Sequence, residues 1–88
     1  MNADRRKRIA ALIATLEGLA GQIEDAASEA RALQEEEREA YDNMPESLQS
    51  SDRGYASDAA ADGLDTVADA LESLDIQDMV TTLDEARS

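Results

Sequence analysis

Apolar or small side chains recur at Ile9, Leu12, Leu16, Leu19, Ile23, Ala26, Ala30, Leu33, Ala40 and Met44, with Glu37 as the one exception. The steps alternate between three and four residues, which is the seam of a heptad repeat. This pattern predicts one helix over residues 4–42. At 1.5 Å per residue it is about 57 Å long, too long for a compact globule and suited to a coiled coil. Ile13 and Ala20 widen the stripe near its start, so that end can meet more than one neighbour. Ala26, Ala27 and Ala30, with Gly18 and Gly21 nearby, allow two helix axes to approach closely.

The only proline, Pro45, lies almost at the midpoint of the 88 residues. It lacks a backbone donor and pushes its predecessor out of the helical region, so the first helix should stop near Asn43. Asn43 suits a left-handed helix end, and Ser50, Ser51 and Asp52 are all suitable N-caps for the next helix. A loop over 43–50 and a second helix over 51–86 complete the chain, making one domain over 1–88.

In the second arm Ala60, Leu64, Val67, Leu71 and Leu74 continue the spacing, and then the phase changes to Ile76, Met79, Val80 and Leu83. These positions centre roughly 150° around the helix from the earlier stripe. Either the helix breaks near 74–76, with Asp75 and Asp78 starting a short third helix, or it presents a second face. Folding the arms about the loop sets Ala30 against Leu64 and Ile23 against Leu71, and brings Arg5–Arg8 beside Asp84 and Glu85.

The expected fold is all-α, a long antiparallel helical hairpin resembling a coiled coil. Each seam residue of a lone hairpin is covered on one side only, and burial at about 25 cal/mol per Å² hardly offsets the ordering entropy. Self-association into a helical bundle or ring is therefore expected.

Composition narrows the chemistry. There is no His and no Cys, which excludes Ser-His-Asp and Cys-His catalysis and ordinary zinc sites. The carboxylates show no calcium-loop spacing, and an alanine-rich hairpin offers no obvious cleft for a paired-carboxylate hydrolase. Neither an enzyme nor a metal or other cofactor is expected. A net charge of −13, from 21 acidic and eight basic residues, argues against direct nucleic-acid binding and favours a basic partner. No apolar run approaches a membrane span, and the Arg5–Arg8 cluster is succeeded by a stretch too polar for an export signal. A cytoplasmic location is expected.

Two groups of residues are candidates for binding. Arg38, Asn43, Gln49, Arg53 and Tyr55 gather guanidinium, amide and aromatic groups near the loop, a set able to hold a phosphate and stack on a base of an anionic nucleotide. Asp58, Asp62, Asp65, Asp69 and Glu72 form an acidic face along the second arm, able to imitate nucleic acid before a basic protein.

The stretch Tyr41-Asp42-Asn43-Met44-Pro45-Glu46-Ser47-Leu48-Gln49-Ser50-Ser51-Asp52-Arg53-Gly54, preceded by Glu35-Glu36-Glu37, resembles a pattern in small acidic helical proteins of bacteriophages and prophages. The resemblance implies a phage or mobile-element origin and, with it, the host cytoplasm. It implies little of mechanism; small size, expected self-association and the absence of catalytic residues favour a non-catalytic binding protein that inhibits or sequesters a component of host defence, either a protein or an anionic nucleotide. The alternatives are a DNA-mimic inhibitor, for instance of a CRISPR effector, and a structural coiled-coil component.

Overall fold

A computed structural model describes residues 2–88, and every element in it is helical. Helix α1 spans Ala3–Asp42, α2 Glu46–Gln49, α3 Asp52–Glu72 and α4 Ile76–Arg87. The molecule measures 68 × 14 × 14 Å, the dimensions of two helices laid side by side. One arm is α1; α3 and then α4 return along it.

Each helix end has a local cause. Asn2 caps α1 by accepting the Arg5 N–H at 2.8 Å, and Ser51 caps α3 by accepting from Gly54. Asn43 does not adopt the expected left-handed conformation: its φ is −85° and ψ −5°. The next two residues explain the difference. The Met44 N–H still reaches Tyr41 O at 3.0 Å, and Pro45, at φ −57° and ψ 149°, then turns the chain out of the helix. The loop also holds a helical turn of its own, α2, whose Leu48 and Gln49 N–H groups donate to Pro45 O.

The second arm breaks over residues 73–75. Asp75 Oδ1 accepts the Asp78 N–H at 2.9 Å and starts α4. This restart lets Ile76, Val80 and Leu83 turn toward α1 although they are out of phase with α3.

The seam between the arms runs through Ile9, Ile13, Leu16, Ala20, Ile23, Ala27, Ala30, Gln34, Glu37 and Tyr41 of α1 and Met44 just beyond it, each buried or half-buried. It meets Gly54, Ser57, Ala61, Leu64, Ala68 and Leu71 of α3. The sequence pattern and the structure therefore share one row, from Ile9 to Met44, and differ in the other. Row Ile13–Ala20–Ala27 faces the partner arm, and row Leu12–Leu19–Ala26–Leu33–Ala40 is turned outward. Small side chains explain the choice, because Ala27, Ala30, Ala61 and Ala68 let the axes come close and are themselves at most 7% exposed.

Gly54 sets how the loop closes. A methyl group there would collide with the carbonyl oxygens of Leu48 and Gln49, so α3 begins with its backbone against that of α2.

Candidate functional site

A hairpin with a heptad seam has two flanks, one on each side of the line joining the helix axes. Here they differ completely in chemistry.

One flank is an ion-pair ladder. Arg31 and Arg38, seven residues apart on α1, reach across to α3. The Arg31 guanidinium donates to Glu72 through Nε at 2.9 Å and Nη2 at 3.1 Å, to Asp69 at 2.6 Å, and to Asp65. Arg38 donates to Asp58 at 2.6 Å and Asp62 at 3.1 Å. Both guanidinium groups are held above their ordinary pKa, Arg31 chiefly by its bond to Glu72 and Arg38 by its bond to Asp58. In return the Arg31 guanidinium holds the Glu72 carboxyl below its ordinary pKa. Residues Asp58, Asp65 and Glu72 repeat every seven positions, so one row of α3 meets one row of α1 along its length.

The five residues of the expected acidic face are the five carboxylates of this ladder. They are brought together, but around two arginines, which leaves less of their charge to present to a partner. Arg31 was not singled out by sequence reasoning. Its signal was available: an arginine seven residues before Arg38, on a row facing alternate acids of the opposite arm.

The expected ligand group is placed differently. Arg38 belongs to the ladder, with its guanidinium centre 5.9 Å from the ring of Tyr41 rather than beside Tyr55. Asn43 closes α1 through its backbone N–H. Gln49 donates from Nε2 to Tyr41 O at 3.0 Å and ties α2 to the end of α1. Arg53 and Tyr55 are exposed, Tyr55 by 64%. Arg38, Asn43 and Gln49 each have a structural partner within the chain, and Arg53 and Tyr55 stand exposed.

The basic cluster forms no ion pair with its expected neighbours. Among the described residues, Arg5, Arg6, Lys7 and Arg8 make no ion pair, and Asp84 is paired instead with Arg87 at 2.6 Å.

The other flank is apolar. On α1 the row Leu12, Leu19, Ala26, Leu33 and Ala40 carries no charge, and its leucines stay 41–47% exposed. On α3 the matching row starts at Arg53 beside the loop and then holds Ala60 and Val67, with Ala56, Gly63 and Ala70 just outside it. On α4 it holds Met79 and Ala86. Val67 is 52% and Met79 47% exposed. Because Asp58, Asp65 and Glu72 mark the ladder side of α3, the row of Ala60 and Val67 lies on the same flank as Leu12 and Leu19. Where the second arm breaks, an open cleft of about 330 Å³ lies between Ile23, Ala27, Leu71 and Ile76 and is bordered by Glu24, Glu72, Asp75 and Gln77, so it opens toward the ladder side rather than onto the apolar flank.

No group of three potential metal ligands occurs among the described residues, and no helix among them is long and apolar enough to cross a membrane. No family model, curated protein or solved structure matches the chain.

Proposed function

We propose that this protein acts by binding rather than catalysis: a self-associating helical hairpin whose apolar flank seats other helical surface. The observation that carries this reading is the contrast between the flanks. Paired charges line the loop-side part of one, while the leucines of the other, in one row with Ala26, stand 41–47% exposed. A single exposed leucine is ordinary, but a long apolar strip bounded by polar rows is the character of an interaction surface.

The loop resemblance suggests the setting. In a phage-infected cell, a small oligomeric binder of this kind would sequester or block a component of host defence. A protein partner fits the apolar flank better than an anionic nucleotide does, since Arg38 of α1, one of the two arginines of the expected ligand group, is occupied by Asp58 and Asp62. The same pairing weighs against the DNA-mimic alternative, because Asp58 to Glu72 are partly neutralised in place. A purely structural coiled-coil role would use the same flank without a separate ligand.

The test is an infection assay in defended host strains that express the protein or its Leu33→Glu variant. The expected result is restored phage growth in at least one strain with the natural protein and none with the variant. Equal rescue by both, or none in any strain, would count against the reading.

A further inference from the structure

The apolar flank has an internal symmetry. With Arg5 counted at its start, the α1 row is balanced about a point beside Gln22 and Ile23: Leu12 and Leu33 stand equally far from it, as do Leu19 and Ala26, and Arg5 and Ala40. On the returning arm the row is balanced about Ser73: Val67 and Met79 stand equally far from it, as do Ala60 and Ala86. These two midpoints lie at one level of the hairpin. Ion pairs Arg31–Asp65 and Arg38–Asp58 and the Ser57–Glu37 hydrogen bond set the register. Carried forward, that register puts Ile23 beside Leu71, and both line the cleft at the break. A single axis across the flank therefore relates both rows to themselves.

A surface that is its own complement under a two-fold rotation fits a second copy of the same surface. We propose that the apolar flank seats a second copy of this chain, turned end for end, forming a four-helix bundle with α1 on α1. This deepens the self-association of the proposed function and rests on it. In the pairing, Leu12 meets Leu33 of the second copy, Leu19 meets Ala26, and Val67 meets Met79.

Charge selects the end-for-end sense. On the polar row bordering the α1 leucines, Arg8 is succeeded by Thr15, Gln22, Glu29 and Glu36. Turned end for end, Arg8 of each copy comes level with Glu36 of the other, so the basic cluster, which makes no ion pair among the described residues, meets an acidic stretch. Copies running in the same sense would put Arg5 to Arg8 of both at one end, where like charges repel. The apolar row from Leu12 to Ala40 is about 42 Å long at 1.5 Å per residue, and over the 14 Å width of the hairpin it offers on the order of 600 Å² per copy, so the polar rows beside it must join the contact to approach the about 800 Å² per partner of an ordinary stable interface. On α3 the bordering residues Ala56, Gly63 and Ala70 are small, and nothing within the chain approaches Gly63. An incoming helix has room there.

The chain has no cysteine, so the geometry is readable by crosslinking. Variants Leu12→Cys and Leu33→Cys, purified separately, are treated with a short bis-maleimide alone and as a mixture, alongside sedimentation equilibrium of the natural protein. The expected result is a covalent dimer in the mixture and none from either variant alone. Crosslinking of each variant with itself would overturn the end-for-end arrangement. A dimer by sedimentation that gives no crosslink in the mixture would overturn this face while leaving self-association standing; a monomer at 100 µM would overturn both. Independently, Arg8→Glu or Glu36→Arg alone should weaken dimerisation about threefold or more, on the scale of exposed ion pairs. Both in one chain should restore it. Failure of the double variant to recover would overturn the Arg8–Glu36 pairing.

Discussion

Arg31 and Glu72 meet fork to fork across the waist of the hairpin, Nε to Oε1 at 2.9 Å and Nη2 to Oε2 at 3.1 Å. The same guanidinium also holds Asp65 and Asp69, so three carboxylates on one row and its neighbour converge on a single cation. Removing it leaves them facing one another. Arg31→Ala should lower the melting temperature by roughly 5 °C for a domain of this size, read by circular dichroism. Arg31→Lys should recover only part of this, because one ammonium cannot reproduce the planar fork.

This pair also makes a pH prediction. The folded-state pKa of Glu72 is depressed by Arg31, so its contribution to stability is present above the ordinary carboxylate pKa and is lost as pH falls through the folded value. The natural protein should be more stable than Glu72→Gln at pH 7. The gap should narrow below about pH 4.5, the ordinary value for this group, and close in stronger acid. Urea unfolding at a series of pH values checks this; a gap that persists unchanged at low pH would show that the ion pair is not its source.

Gly54 makes a second, independent claim about the loop. A methyl group there meets two backbone carbonyls, which have no flexible end to move aside. Gly54→Ala should destabilise by about 1–3 kcal/mol, as overpacking does, although alanine is the better helix former by about 1 kcal/mol. Gly63→Ala, with nothing near it in the chain, should show the helix-propensity gain within a hairpin. Thermal unfolding of the two variants separates the effects.

How much of the fold was legible in the sequence depends on the row. Ile9, Leu16, Ile23 and Ala30 lie on the seam in any reading, because they border both apolar rows. The ambiguous choice was between Leu12–Leu19–Leu33 and Ile13–Ala20–Ala27. Residue size favours the leucines, while close approach of two helices favours alanine. Tertiary packing decided it, aided by charge: only with the alanine row inward do Arg31 and Arg38 swing toward the acids of α3. The break after Glu72 was visible as a phase change at Ile76, but the phase alone did not distinguish a new helix from a second face. Loop residues Asn43 and Gln49 read as ligand groups because amides serve caps and ligands equally; the Tyr41 carbonyl that Gln49 satisfies is not a sequence feature.

Glu37, the one charged position in the seam, has its partner. Ser57, 6% exposed, donates from Oγ to the Glu37 carboxylate at 2.6 Å. Ser57→Ala should cost about 1 kcal/mol by leaving Glu37 without that donor. The double change Ser57→Ala with Glu37→Met should be close to neutral, since both polar groups leave together. A double-mutant cycle by chemical denaturation measures the coupling.

The central claim is that the row of Leu12, Leu19 and Leu33 is an interface, and sedimentation equilibrium of the natural protein and Leu19→Glu tests it most directly. Leu19 is 41% exposed in the single chain, so glutamate there leaves the intrachain seam intact. The expected result is a dimer or higher oligomer for the natural protein and a loss of association of at least about tenfold for the variant, as for a buried apolar anchor replaced by a charge. Equal association of the two proteins, or a natural protein that stays monomeric at 100 µM, would contradict it.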